Sequence, residues 1–143
     1  MGLDPAVSGL VAGIGFRRGT DAAEIFALIA RALASAQAGP EDLRAVATAA
    51  DRACEPAIRD AAARFGLAPV AVEPAALAAC DARVPTRSAR IEALRGVGSL
   101  AEAAALAAAG PDSHIVLARI ASAGATCALA GGVPQSGAEV PRE

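Results

Sequence analysis

Three short segments carry residue types suited to holding an acid. In the first, Gly13, Gly15 and Gly19 surround Arg17 and Arg18 and lead through Thr20 and Asp21 into a helical pattern. Glycine lets backbone approach a ligand closely, a helix start offers unpaired N–H groups and a positive dipole end, and guanidinium forks match carboxylate or phosphate. The second segment runs from Thr48 through Arg52 to Glu55, and the third from Gly98 and Ser99 to Glu102. Each passes from a strand end or glycine turn into a helix, and in an open parallel sheet such junctions form the ligand-binding edge. Arg17, Arg18 and Arg52 are therefore expected around one pocket, with Thr20, Thr48 and Ser99 as neutral hydrogen-bonding groups.

Glu55 and Glu102 are the candidates for a general base, and the N–H groups of Gly98 and Ser99 for stabilising an oxyanion. Plainer roles compete with these. Ser99 and Glu102 have the spacing of a capping box, as do Asp21 and Glu24, and a carboxylate at Glu55 suits a helix dipole without any chemistry. Cys54 and His114 make a weak nucleophile and base pair; they read more simply as a small apolar side chain and a strand-start residue. The first glycine segment is not a dinucleotide fingerprint, because its third glycine falls one residue late and no acidic residue follows at the expected distance. Nor is it a phosphate-binding loop of the Walker type, since the chain has no lysine.

The elements that must position these groups alternate. A buried strand over 10–15 precedes a helix over 21–38, where Ile25, Leu28, Ile29 and Leu33 recur at helical spacing before Gly39-Pro40. A strand over 44–50 leads to a helix ended by Gly66, then a strand over 69–72 and a short helix over 74–80. An alanine-rich helix reaches Ala109, and strands over 114–121 and 125–130, joined by Ser122-Ala123-Gly124, form a hairpin. The order predicts an α/β fold: a three-layer α/β/α arrangement whose mostly parallel, mixed sheet is closed by a C-terminal antiparallel hairpin. Residues 1–131 form one domain in this reading, and 132–143, rich in Gly, Pro and Ser, a flexible tail.

Composition narrows the function. The chain has 143 residues, 55% hydrophobic and 20% charged, with a formal net charge of -2, so it folds but lacks the basic excess that nucleic acid requires. Three Phe are its only aromatics, which leaves no stacking platform for bases. No run approaches the ~20 strongly apolar residues of a membrane span, and the first residues lack a signal-peptide pattern. Cys54, Cys80 and Cys127 are odd in number and widely spaced, which fits unpaired thiols in a cytoplasmic protein, and with one histidine they give no metal-ligand set. No cofactor, nucleic acid or membrane partner is expected. Exposed alanine faces leave room for a homodimer.

The blocks Gly13 to Thr20, Asp51-Arg52-Ala53-Cys54-Glu55, Val97 to Leu106 and Ala125-Thr126-Cys127-Ala128-Leu129-Ala130, in this order, resemble the cobalamin-biosynthesis CobE family, homologous to the C-terminal domain of the CbiG protein. The resemblance spans about residues 8–131 and adds Thr126 to the candidate ligand-binding residues. Two positions depart from the family pattern: Arg52 stands where lysine is found, and Arg87 where proline often is. The resemblance implies an accessory protein of vitamin B12 biosynthesis that binds a carboxylate-rich precorrin or corrin intermediate and works beside other pathway enzymes. It also implies an alternative, a hydrolase or lyase that opens a precorrin ring lactone with release of acetaldehyde.

Overall fold

The computed structural model describes residues 9–95 and 97–131, and the expected tail over 132–143 lies outside them. Five strands form one sheet: β1 (Leu10–Phe16), β2 (Leu43–Ala49), β3 (Pro69–Val72), β4 (His114–Ala121) and β5 (Ala125–Gly131), in the order β3-β2-β1-β5-β4. The pairs β1/β2 and β2/β3 are parallel, whereas β5 is antiparallel to both β1 and β4. This is the mixed sheet with a closing hairpin that the element order predicts. The interior positions of β1 are buried throughout, as expected for a central strand covered on both faces.

Two helices cover one face. In α1 (Ala22–Ser35), Ile25, Leu28, Ile29, Ala32 and Leu33 face the sheet, and α2 (Pro56–Ala63) contributes Ile58, Ala61 and Ala62 to the same core. Phe26 and Phe65 stack between them at 4.9 Å. The helix α1 ends three residues earlier than the periodicity suggests, because Gln37 turns to φ 60° and Ala38 N–H donates back to the Leu33 carbonyl at 2.8 Å. Gly66, at φ 77°, ends α2 through the equivalent bond from Leu67 to Ala62, the left-handed termination for which glycine is the usual residue.

On the other face lie α3 (Pro74–Ala79) and α5 (Leu100–Ala109), with the short α4 (Ala89–Arg95) at the edge. Residues Ala101 to Ala105 of α5 are completely buried, because alanine lets the helix sit almost on the sheet. The closest approach is at Gly13 of β1. A β-carbon there would lie 2.0 Å from the Ala101 carbonyl oxygen and 2.5 Å from the Ala105 nitrogen, so this position accepts hydrogen alone.

Strand β4 departs from strict alternation. Its pairing with β5 slips between Ile115 and Leu117 and again between Leu117 and Ile120, each slip giving β4 one extra residue, as β-bulges do. Ile115 consequently packs with the α5 core, while Leu117 and Ile120 pack with the α1 core.

Candidate functional site

A cavity of about 600 Å³ opens where β1 ends, β4 turns into β5, and α4 and α5 begin. Among the described residues, the guanidinium side chains of Arg17, Arg18, Arg52, Arg90 and Arg119 line it. Phe16, Ile91, Leu94 and Leu100 supply an apolar wall, and Ser122 to Thr126 form the hairpin side. Among the described residues no carboxylate lines it, so a chain of net charge -2 carries a locally cationic concavity. An apolar pocket with a few convergent charged groups is the common form of a small-molecule site.

Arg17 and Arg18 owe their position to a tight turn. Arg17 N–H donates to the Gly124 carbonyl at 2.9 Å, Thr20 N–H to the Arg17 carbonyl at 3.2 Å, and Gly19 takes φ 87° between them. Glycine holds that φ without the strain of a β-carbon. Arg52 comes from the loop after β2 and lies over the Phe16 ring at 5.5 Å, a cation–π contact that helps to hold the guanidinium at the cavity. Its Nη1 is buried without a hydrogen-bond partner. Glu55 approaches Arg18 to 3.6 Å and Arg52 to 3.8 Å.

The hairpin wall is tied to α1. The Glu24 carboxylate accepts from Gly124 N–H at 2.6 Å and from the Ser122 hydroxyl, and Ser122, ahead of the Gly124 amide, holds this carboxyl below its usual 4.5. Asp21 makes no side-chain cap, so the expected capping box at 21–24 is replaced by this longer-range tie. Thr20 donates its hydroxyl to the Gly124 carbonyl at 3.1 Å and so holds the same loop.

The profile of the cobalamin synthesis G C-terminus family matches residues 10–130. The chain belongs to that family. It is 44% identical over 126 residues to protein CobE of Sinorhizobium sp., covering 88% of this chain and 82% of the relative. Among solved structures it resembles CobE, a protein from the cobalamin (vitamin B12) biosynthetic pathway, with TM-score 0.81 and 34% identity over 86% of this chain and 89% of that one. It also resembles the cobalamin biosynthesis protein chiG from Agrobacterium tumefaciens, with TM-score 0.70 and 28% identity, covering 86% and 98% of the two chains.

Within this CbiG C-terminal fold, Gly15, Arg17, Arg18, Arg52 and Thr126 of the expected ligand-binding residues line the cavity. Gly13 does not: it lies beneath α5, and what its missing side chain admits is that helix. Thr48 is completely buried and donates to the Ile14 carbonyl at 2.7 Å, a strand-to-strand bond. Ser99 is buried and accepts from Glu102 N–H at 3.4 Å, which is half of the expected capping box. Gly98 N–H is taken by Asp81 at 2.8 Å, so it faces no oxyanion. That bond, with the Arg87 guanidinium behind it, holds the Asp81 carboxyl below its usual value.

Glu102 is completely buried. One carboxylate oxygen accepts from Thr86 N–H at 2.9 Å, and the other from the Thr86 hydroxyl at 2.8 Å and Arg119 N–H at 2.8 Å. Glu55 is paired loosely with Arg18 and Arg52 and is not among the described lining residues. Sequence reasoning missed Arg90 and Arg119. Arg119 follows a bulge that periodicity does not reveal, and Arg90 lies in a helix of seven residues, too short for a convincing pattern. Among the described residues no cluster of His, Cys, Asp and Glu could hold a metal ion, and no helix is long and apolar enough to cross a membrane.

Proposed function

We propose that this domain binds a carboxylate-rich precorrin or corrin intermediate of cobalamin biosynthesis, as an accessory protein of the cytoplasmic pathway. The observation that carries the reading is the cavity itself: among the described residues its lining has five arginines, an apolar wall and no carboxylate. A tetrapyrrole-derived macrocycle offers the matching surface, an apolar ring edged by carboxylates, and charge-assisted contacts to guanidinium are the stronger class of hydrogen bond. The cobalamin-pathway names of its relatives are consistent with that ligand class.

Opening of a ring lactone is less well supported. Glu102 has both oxygens occupied in a buried site, Gly98 N–H is engaged, and Glu55 is paired with two guanidiniums outside the described lining. Titration of the purified protein with pathway intermediates, followed by pigment absorbance, tests the binding reading. A saturable shift is expected, weakened about tenfold by Arg52→Ala, since a hydrogen bond to a charged group is worth roughly 1.5–3 kcal/mol. A flat titration, or one indifferent to Arg52→Ala, would overturn it. Acetaldehyde released from a lactone-bearing precorrin would move the reading to catalysis. Contacts with pathway enzymes and pairing of two copies belong to the same proposal and are read by pull-down and sedimentation.

A further inference from the structure

Arg90 and Arg119 face the cavity from different elements, α4 and β4, and nothing within either element sets the distance between them. Glu102 spans that gap. Its carboxylate accepts Arg119 N–H on β4, and on the other side both the amide and hydroxyl of Thr86, in the loop that continues into α4. Arg119 lies on β4, the edge strand, at the register slip against β5 between Leu117 and Ile120, where a backbone N–H is open to a partner from outside the sheet. The loop is fixed a second time by Ser88 N–H, which donates to the Gly98 carbonyl at 2.8 Å.

We infer that Glu102 is a positioning residue for anion recognition: it pins the β4 bulge to the 84–88 loop and so sets the spacing at which Arg119 and Arg90 meet the acidic groups of one ligand. The inference rests on the binding reading above. A carboxylate is the group this position requires. It offers acceptors on both oxygens to three donors, whereas Gln turns its amide toward a donor in either orientation and leaves one backbone N–H unpaired. The helix start favours negative charge at this first-turn position, so the strut is held at both ends by groups it suits. Glu102 touches no ligand in this scheme and acts through the two arginines.

The test is a binding cycle with uroporphyrin, an octacarboxylate macrocycle, as probe, read by fluorescence quenching. Glu102→Met, which keeps the volume and removes both acceptors, is expected to weaken binding about tenfold. In the Arg90→Ala/Arg119→Ala background the same replacement is expected to change affinity less than twofold, because the groups it positions are gone. An undiminished tenfold loss in that background, or no loss from Glu102→Met alone, would overturn the positioning role while leaving the cavity reading in place. Absence of uroporphyrin binding by the unmodified protein, with pathway intermediates also failing to bind, overturns both. If Glu102→Met does not fold, Glu102→Gln carries the same comparison with a smaller expected loss, about threefold, and the same overturning outcomes.

Discussion

The Glu55 carboxylate lies 3.6 Å from Arg18 Nη1 and 3.8 Å from Arg52 Nη1, outside hydrogen-bonding range of both. It neutralises part of the arginine group without satisfying it, since Arg52 Nη1 has no hydrogen-bond partner. A ligand carboxylate that reaches Arg52 therefore competes with a loose, partly exposed ion pair worth roughly 0.2–1 kcal/mol. Glu55→Gln is expected to tighten binding of a polycarboxylate macrocycle by about threefold. Isothermal titration against uroporphyrin measures this directly. Weaker binding by Glu55→Gln would show that the carboxylate helps to hold the ligand, and loss of turnover on a lactone substrate would restore it as a base.

Two glycines of the first segment answer to different constraints, and their alanine variants should separate them. At Gly13 the added carbon collides with the backbone of α5 at 2.0 and 2.5 Å, and neither helix nor strand can move without disturbing a fully buried core. Gly13→Ala is expected to cost about 3 kcal/mol or more, or to prevent folding. At Gly19 nothing lies within 4 Å, but φ is 87°, so Gly19→Ala should cost only about 1–2 kcal/mol of backbone strain. Urea denaturation followed by circular dichroism ranks the two. Equal midpoints would remove the packing account of Gly13.

Much of this was legible in the residues, and the failures have a common cause. The strand β1, the apolar stripe of α1, the Gly66 stop and the closing hairpin follow from local pattern, because each depends on neighbours within one turn or one strand. That Arg17, Arg18 and Arg52 share one cavity was legible because glycine turns and helix starts are local too. Gly13 was expected to admit a ligand, but the group that approaches it is a helix about ninety residues further along the chain, which no local pattern identifies. Glu24 and Glu102 both carry capping spacing, and both spend their carboxylates on distant donors instead, at the 122–124 hairpin and at Thr86 and Arg119. A distant backbone N–H in a bulge or a tight turn has no partner of its own and wins over the local cap. The two bulges in β4 put Ile115 in one core and Leu117 in the other, so alternation does not show which face the rest of the strand presents.

The three thiols should differ sharply in reactivity. Cys54 is exposed, whereas Cys80 and Cys127 are buried, and burial pushes the Cys127 thiol up to about 12. Because thiolate is the reactive form, a disulfide-exchange reagent should modify Cys54 alone in the native protein and all three after denaturation in urea. Fast native modification of a second thiol would mean that one core opens far more readily than its packing implies.

Acid should loosen the cavity from its hairpin side. Glu24 binds protons less readily in the folded chain than in the unfolded one, because the Ser122 hydroxyl and then Gly124 N–H stabilise its charged form. The folded state therefore carries fewer protons on this group, and the stabilisation is complete above the ordinary value of 4.5 and lost as pH falls through the lowered folded value. Asp81, lowered by Gly98 N–H and Arg87, acts in the same direction near its own ordinary 3.8. Thermal unfolding is thus expected to show a Tm that declines below about pH 5. Glu24→Gln should lie below the unmodified protein at neutral pH, fall less steeply, and converge with it in acid, with the remaining slope owed to Asp81 and other carboxylates. Parallel curves would mean that Glu24 does not secure the 122–124 loop. Since that loop forms one wall of the cavity, uroporphyrin affinity at neutral pH should fall in Glu24→Gln as well, through a displaced wall and not through any lost arginine.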